Sequence, residues 1–397
     1  MYTFDFSDVV KAMRPSIIRE LLKQMADPNL ISFAGGNPAA EAFPASEIGE
    51  ISAELLSGPP GGTLQYSITE GYPALRLRAR EYLNRQWQTV QESDDVLVLA
   101  GSQQAMDYFS KLLCNAGDVV ATEDPAFLGA LNSFRGNGAV LKGVPLEDDG
   151  VNLAALEAVL SATPKPKFFY TIPNFQNPTG VTTSLSKRRA VYKLCSRYGV
   201  PILEDNPYGE LRFTGEELPP IKSFDTEGLV LYAASMSKIF APGMRVAFCV
   251  GQQDLMNRMV VAKQGNDVHT NLWGQRVIER FFEKYDFDAH IARLRKVYGE
   301  KARRMMTGID KNLGSRVSYV PVEGGMFLWL SLPDGVSAPG FVQKCLDKKL
   351  ALVPGSAFFV DDAAPCQSVR MNFSTPTDEQ IDLGCAIMDE VLAEMGH

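Results

Sequence analysis

The stretch from Phe168 to Tyr208 decides the fold of this chain. It begins with the apolar run Phe168-Phe-Tyr-Thr-Ile172, continues through a polar turn and a helical stretch over about 184–198, and ends in a second apolar run, Pro201-Ile-Leu-Glu-Asp205. Short apolar runs of this length are typical of strands that are buried on both faces. A strand, a helix and another strand in this order predict one unit of a largely parallel sheet.

The same unit is repeated on both sides of this stretch. Val96-Leu-Val-Leu-Ala100 leads into a helical stretch through Leu113, and apolar runs recur at 119–123 and 229–233. Apolar strands that alternate with helices of about 10–15 residues predict an α/β fold in which helices cover both faces of a mostly parallel sheet.

The regular alternation ends near residue 286. A long helix is predicted next, and strands and helices then follow without a fixed order, which indicates a smaller α+β domain. A chain of 397 residues is also longer than one hydrophobic core usually supports. We therefore divide the chain into an N-terminal arm with part of the small domain (1–45), a large domain (46–285) and a small C-terminal domain (286–397).

The composition excludes several classes of protein. With a formal net charge of −8 and no basic run, the chain lacks the clustered cations of a nucleic-acid surface. Its six cysteines are scattered and it has only three histidines, so we predict reduced thiols and no metal site. The first residues lack the features of a signal peptide, and no window reaches the ~18 apolar residues of a membrane helix. We expect a cytoplasmic protein without a membrane partner.

Polar residues gather at the carboxyl ends of the predicted strands. In a parallel sheet that is covered by helices, ligands bind at this edge. Polar residues placed at random would fall at both ends of the strands, so their distribution predicts a ligand site. The candidates that end or follow a strand are Ser102, Gln103, Asn177, Asp205 and Lys238.

The last of these strands leads into Ser235-Met-Ser237-Lys238, followed by Pro242-Gly243-Met-Arg245. A lysine amine forms a Schiff base with a carbonyl when burial or positive charge lowers its pKa. Two hydroxyls and a guanidinium suit a phosphate, and we expect this arginine to be buried with an anion. Pyridoxal 5′-phosphate offers both an aldehyde and a phosphate. A solvated loop is the alternative for Ser-x-Ser-Lys alone.

Three motifs, in this order, resemble the active-site motifs of the class I and II aminotransferases, the fold type I pyridoxal phosphate enzymes: Asn177-Pro-Thr-Gly180, Asp205-x-x-Tyr208 and the segment of Lys238. The resemblance covers nearly the whole chain. It is closest to the branch of 2-aminoadipate and kynurenine aminotransferases and MocR regulators. It implies a large domain with a mostly parallel seven-stranded sheet between helices, a smaller α+β domain, and a homodimer.

The resemblance also implies roles for individual residues. Lys238 would carry the cofactor and move a proton, and Asp205 would keep the ring nitrogen protonated. Tyr208 and Asn177 would donate to the phenolic oxygen, and Phe127 would stack on the ring. Viewed separately, each of these residues could be a strand cap, a turn residue or part of the core.

The phosphate would lie at the start of the helix after Gly101, where free amides and the helix dipole favour an anion. The implied phosphate contacts are Ser102, Gln103, Ser235, Ser237 and Arg245, with Tyr66 of the Leu-Gln-Tyr loop reaching across from the neighbouring subunit.

Four residues are implied to contact the substrate. Arg370 would grip the α-carboxylate through a bidentate pair, and Asn177 and Gly36 would lie against the substrate. Arg19 would meet an acidic side chain, which predicts glutamate or 2-aminoadipate as a donor. As alternatives, Arg370 could form a surface salt bridge and Arg19 could be a solvated charge on a helix.

The resemblance implies an aminotransferase that moves an amino group from an L-amino acid, acidic, aromatic or aliphatic, to a 2-oxo acid. A pyridoxal phosphate lyase on the same fold is one alternative, because such a site supports other cleavages at Cα. A non-catalytic sensor that binds the cofactor, as in the MocR regulators, is another. No basic DNA-binding segment precedes the fold, which disfavours the sensor.

Overall fold

The computed structural model of the protein describes residues 2–7, 10–11 and 29–397. Twelve α-helices and thirteen strands lie within them. The helices are α1 (Ala45–Ser57), α2 (Gly61–Leu64), α3 (Pro73–Leu83), α4 (Gln103–Leu113), α5 (Leu128–Gly136), α6 (Leu153–Leu160), α7 (Leu185–Tyr198), α8 (Gln253–Gln264), α9 (Leu272–Lys284), α10 (Phe287–Asn312), α11 (Ala338–Asp347) and α12 (Asp378–Glu394). The strands are β1 (Ile31–Ser32), β2 (Asp94–Leu99), β3 (Val119–Asp124), β4 (Val140–Glu147), β5 (Gly150–Val151), β6 (Phe169–Thr171), β7 (Ile202–Asn206), β8 (Val230–Ser235), β9 (Ala247–Gln252), β10 (Phe327–Ser331), β11 (Leu350–Ala351), β12 (Val353–Pro354) and β13 (Ser368–Asn372).

The large sheet has the strand order β2-β9-β8-β7-β6-β3-β4-β5. Strands β8, β7, β6, β3 and β4 are parallel to one another, whereas β9 and β5 are antiparallel to their neighbours. The predicted α/β fold with a mostly parallel sheet is confirmed. The sheet has eight strands instead of seven, because the two-residue β5 folds back on β4.

The C-terminal part contains a separate three-stranded antiparallel sheet, β10-β13-β12. β1 pairs in parallel with β11, which joins the start of the described chain to this part. The apolar stretch Val317-Ser-Tyr-Val320 suggests a strand by its composition, but only Ser318 pairs there, in an isolated bridge to Ser331. The proposed domain boundaries stay a prediction.

Buried aromatic rings hold α4 and α5 against the large sheet. The ring centroids of Phe109 and Phe134 lie 4.9 and 5.2 Å from that of Phe168, and all three side chains are fully buried. Burial of each such ring contributes about 1.5–3 kcal/mol. This packing fixes the N-terminus of α4 at the carboxyl edge of the sheet.

The long helix α10 begins at a side-chain cap, in which the carboxylate of Asp286 accepts from the amide of Ala289. Such a cap stabilises a helix by about 1 kcal/mol. The helix carries His290 and Arg293 on its first turns, close to the large sheet. Within the residues described here, no helix has the length and apolar character needed to cross a membrane.

Candidate active site

A cavity of ≈ 290 Å³ lies at the carboxyl edge of the large sheet, next to the C-terminal sheet. Twelve of the fourteen residues expected at the site line it: Gly36, Ser102, Gln103, Phe127, Asn177, Asp205, Tyr208, Ser235, Ser237, Lys238, Arg245 and Arg370. Four further lining residues were not expected: Ile172, Pro207, Pro242 and Phe327.

Lys238 lies in the turn after β8, and its amine reaches into the cavity. Nζ donates to the backbone oxygen of Gly36 at 2.7 Å. Burial, together with the nearby charges of Arg370 and Arg245, lowers the pKa of Lys238 to about 8. A larger share of this amine is therefore neutral, and so nucleophilic, at physiological pH than for an exposed lysine.

Asp205 is buried near the end of β7. Its Oδ2 accepts from the Tyr170 hydroxyl at 3.0 Å, whereas its Oδ1 has no partner among the described residues. The pKa of Asp205 is raised to about 7, because burial and the charge of Glu123 outweigh the lowering effect of the Tyr170 hydrogen bond. A buried carboxylate with one free oxygen would be stabilised by a cationic N–H. Tyr170 was missed because it lies inside an apolar run.

Arg370 on β13 is anchored from both sheets. Nη1 donates to Oδ1 of Asn177 at 3.1 Å, and Nη2 donates to the backbone oxygens of Ala34 and Gly35 at 2.7 and 3.3 Å. Its Nε has no partner among the described residues. Burial lowers the pKa of Arg370 to about 10, yet it stays charged. An uncompensated buried cation of this kind calls for an anionic ligand.

Aromatic rings enclose the guanidinium of Arg370. Its carbon lies 4.3 Å from the ring centroid of Phe327 and 4.9 Å from that of Phe358. The ring of Phe327 also meets Tyr208 edge-on at 5.8 Å. The pKa of Tyr208 is raised by burial. The apolar run that contains Phe327 gave no sign that this ring, unlike its neighbours, faces the cavity.

The opposite end of the cavity is built for an anion. Ser102 is the N-cap residue of α4, and the amides of Gln104 and Ala105 bond back to Gly101 and Ser102. The amides of Ser102 and Gln103 are therefore the ones at the open start of the helix. The side chain of Gln103 donates to α5 instead.

Arg245 completes this end of the cavity. Its guanidinium donates to the backbone oxygen of Ala100 at 3.0 Å and to the hydroxyl of Ser237 at 3.5 Å. The hydroxyl of Ser235 accepts from the amide of Ser237. Gly101 has a φ of 97°, a backbone conformation that favours glycine, and its lack of a side chain leaves room for the guanidinium. The expectation that Arg245 is buried was wrong: it is exposed, because it lies at the mouth of the cavity.

Phe127 precedes α5 and lines the cavity as expected. A Cβ at Gly129 would lie 2.5 Å from its ring, so the absence of a side chain there lets the ring approach the start of α5 this closely. The stacking of this ring on a planar ligand stays a prediction.

Glu123 organises the loop that carries Asn177. It is fully buried at the end of β3 and accepts from the hydroxyl of Thr171, the amide of Ile172 and the side chain of Gln176. Burial raises the pKa of Glu123 to about 6. Sequence reasoning missed it as a site-supporting residue, although the rule that polar residues collect at strand ends could have identified it.

One expected residue that the structure describes, Tyr66, does not line the cavity. Tyr66 is 80% exposed, and its ring meets His269 edge-on at 5.8 Å. Its expected contact involves a neighbouring subunit and stays a prediction. Arg19 lies outside the described residues.

Comparison with known proteins gives a consistent result. The family model for aminotransferase class I and II matches residues 28–387. An aromatic-amino-acid aminotransferase of Thermococcus litoralis is 36% identical over 393 residues, 98% of this chain and 94% of the relative. A 2-aminoadipate transaminase of Thermus thermophilus is 38% identical over 375 residues, 94% of this chain and 92% of the relative.

Solved structures agree with this assignment. The crystal structure of a Pyrococcus horikoshii kynurenine aminotransferase, in complex with PMP, has a TM-score of 0.94 and is 34% identical over 98% of this chain and 97% of that one. The family model and these relatives extend over both the large sheet and the C-terminal sheet. The chain therefore belongs to the class I and II aminotransferases and is a pyridoxal 5′-phosphate-dependent transaminase.

Proposed function

We propose that the enzyme takes acidic and aromatic L-amino acids as donors, with Lys238 as the residue that carries the cofactor and moves the proton. The observation that supports this most directly is the convergence of three groups in one cavity: the Lys238 amine, the buried cation Arg370, and a carboxylate oxygen of Asp205 that has no partner in the described part of the chain.

The cavity fits pyridoxal 5′-phosphate at three points. The unpartnered Oδ1 of Asp205 suits a protonated ring nitrogen. The start of α4 with Arg245 suits a phosphate. The amine of Lys238 belongs to the lining of the same cavity and suits an aldehyde. When bound, the cofactor supplies an electron-withdrawing ring that stabilises negative charge at the substrate Cα.

Lys238 serves as the proton carrier in this proposal. The turn after β8 holds Nζ in the cavity, where the neutral amine would accept the Cα proton of the substrate and, as an ammonium group, would donate it back. A pKa near 8 suits both directions, because an acid–base group works best when its pKa lies close to the working pH.

Arg370 orients the amino acid. Its guanidinium is fixed by Asn177 and by the backbone of 34–35, so it offers a preset pair of donors to the α-carboxylate. Such positioning raises the reaction rate because the bound amino acid is already oriented for the reaction. The substrate side chain then lies toward Gly36 and Phe327, which form an apolar wall suited to an aromatic ring.

The acidic donors rest on a different residue. The name of the Thermus relative, a 2-aminoadipate transaminase, supports an acidic substrate. We propose Arg19 as its side-chain partner. The names of the Thermococcus and Pyrococcus proteins support aromatic donors and kynurenine.

We also propose a cytoplasmic homodimer in which Tyr66 reaches the phosphate end of the partner's cavity. The ring is 80% exposed in a single chain, so it is free to contact a partner subunit, which supports the idea.

A half-reaction tests the chemistry. The purified protein is loaded with pyridoxal 5′-phosphate, reduced with borohydride, and digested to locate the modified peptide. We expect the adduct on Lys238. A second sample is mixed with glutamate, 2-aminoadipate or phenylalanine in the absence of an acceptor. We expect one equivalent of 2-oxo acid and of pyridoxamine phosphate.

The outcome separates the alternatives. A lyase would release ammonia or a fragment and keep the original absorbance without forming an oxo acid in step with pyridoxamine phosphate. A sensor would bind the cofactor and turn over none of the donors. Absence of an adduct at Lys238 would overturn its proposed role. The variant Arg19→Met, with 2-aminoadipate and phenylalanine compared side by side, tests the acidic preference.

A further inference from the structure

The turn that carries Lys238 is bonded to a buried histidine. His290, on the first turn of α10, lies with Nε2 at 2.8 Å from the backbone oxygen of Ile239, the residue directly after Lys238. Its other ring nitrogen, Nδ1, lies 3.1 Å from Nη2 of Arg293. The side chain is 7% exposed.

These two contacts determine the tautomer. An arginine nitrogen only donates, so Nδ1 of His290 must accept. The proton of a neutral imidazole is then on Nε2, which donates to the oxygen of Ile239. Burial lowers the pKa of His290, and the charge of Arg293 lowers it further, which favours this neutral form.

Arg293 extends the chain of contacts to the other side of the cavity. Its Nη1 donates to the backbone oxygen of Glu41 at 2.6 Å, and its Nη2 donates to that of Ala42 at 3.2 Å. These residues end the segment that begins at β1 and includes Gly36. The oxygen of Gly36 accepts from the amine of Lys238, so the contacts form a closed ring.

We propose that His290 and Arg293 are positioning residues that hold the Lys238 turn and the 36–42 segment at a fixed separation. The inference rests on the role proposed above for Lys238. One element, α10, thereby fixes both the backbone that bears the amine and the segment that faces it. A small displacement of a reacting group lowers the reaction rate. The contacts of His290 and Arg293 therefore determine which positions the Lys238 amine can reach.

Packing alone is the competing explanation. The imidazole lies among the rings of Phe240, Phe281 and Phe287, with centroids 6.3, 5.6 and 5.9 Å away. If His290 only fills this space, a phenylalanine should replace it well. If the hydrogen bonds matter, glutamine should be the better substitute, because its amide both donates and accepts.

The first experiment needs no cofactor. Hydrogen–deuterium exchange is compared for the wild type, His290→Phe, His290→Gln and Lys296→Met, an exposed control on the same helix. We expect His290→Phe to exchange about tenfold faster in peptides covering both 36–42 and 238–246, the effect of about one lost hydrogen bond. The control should match the wild type, and His290→Gln should lie between them.

The second experiment uses the loaded protein. We expect His290→Phe to raise the apparent dissociation constant for pyridoxal 5′-phosphate about tenfold, and to shift the midpoint of the pH titration of its visible absorbance by about half a unit. Should His290→Phe not fold, Arg293→Met replaces it, because that variant removes the contacts to 41–42 and leaves the imidazole in place.

The proposal is wrong if His290→Phe exchanges like the wild type in either segment, or if the phenylalanine and glutamine variants behave alike. These failures differ from a failure of the proposed function. A wild type that forms no adduct at Lys238 would overturn that function. The exchange comparison is made without cofactor, so it would still test whether His290 holds the two segments in place.

Discussion

A lysine lies beyond each end of strand β8, Lys222 fully buried and Lys238 partly buried, and their surroundings differ. Near the start of the strand, Nζ of Lys222 lies 3.0 Å from Asp94 and 2.9 Å from Asp225, and all three side chains are at most 1% exposed. Beyond the far end, the amine of Lys238 meets a backbone oxygen, and no carboxylate pairs with it among the described residues.

The carboxylates show the same contrast. Burial alone would raise the pKa of Asp225, but the Lys222 cation and backbone amides lower it below its ordinary value. Burial raises the pKa of Asp205 to about 7, and one of its oxygens has no partner. A buried charge that is paired with an opposite charge belongs to the structural core, whereas a buried charge without such a pair is typical of a ligand site. Four substitutions test this distinction.

Replacement of Lys238 should give the largest effect. We expect Lys238→Ala to lower the rate of the half-reaction by at least about a thousandfold, because the acid–base group is lost. Its unfolding midpoint should stay near that of the wild type or rise, since a buried charge without a counter-ion is removed. Stopped-flow absorbance and urea unfolding measure the two. If Lys238→Ala kept an activity close to that of the wild type, Lys238 would have no catalytic role that distinguishes it from Lys222.

Replacement of Lys222 should show the opposite pattern. We expect Lys222→Met to lower the free energy of unfolding by about 3–5 kcal/mol, because two buried carboxylates lose their cation. Any molecules that remain folded should keep the half-reaction rate of the wild type. The variant Lys284→Met, at an exposed ion pair, is the control and should cost at most about 1 kcal/mol. A stable Lys222→Met would contradict a structural role.

Arg370 tests whether the unmatched cation recognises a carboxylate. We expect Arg370→Lys to lower kcat/KM about a hundredfold, because the planar pair of donors is lost while the charge remains. Cofactor affinity should change little, since the proposed partner of Arg370 is the substrate α-carboxylate. Steady-state kinetics and a cofactor titration provide both values. If kcat/KM and the affinity for the cofactor fell by the same factor, Arg370 would bind the cofactor instead of the substrate.

The smallest effect concerns pH. Because the folded pKa of Asp205 is raised to about 7 from an ordinary 3.8, the cofactor-free protein binds an extra proton when folded. This group's contribution is therefore greatest at low pH and declines as pH rises from about 4 to 7, by up to about 1 kcal/mol per unit. Asp205→Asn should flatten that decline in urea titrations. An unchanged slope would show that Asp205 does not titrate in this range.

Much of the site followed from the positions of polar residues along apolar strands. Asn177, Asp205 and Lys238 each end or follow a run that could only be a buried strand, and parallel strands bring such ends to one edge. Twelve of the expected residues indeed line one cavity. Strands β4 and β9 were missed: β4 alternates exposed and buried residues at the edge region of the sheet, and β9 directly follows the Arg245 turn without a helix between.

The supporting residues were harder to predict. Three of them, Tyr170, His290 and Phe327, lie within apolar or helical patterns. The periodicity of such a pattern predicts which face of the element is buried, but not which residue of another element that face contacts. Tyr170 acts on Asp205 through a neighbouring strand, and His290 acts on Ile239 from a helix 51 residues away in sequence. Contacts of this kind depend on how elements pack.

The sequence by itself determined the α/β fold, the edge of the sheet at which the site lies, and the residue types that suit an aldehyde, a phosphate and a carboxylate. Those properties follow from local periodicity and from the common direction of parallel strands. Only the tertiary structure decided which buried charges are paired and which are not. Pairing depends on distances of about 3 Å between side chains far apart in the chain, and no local pattern encodes such distances.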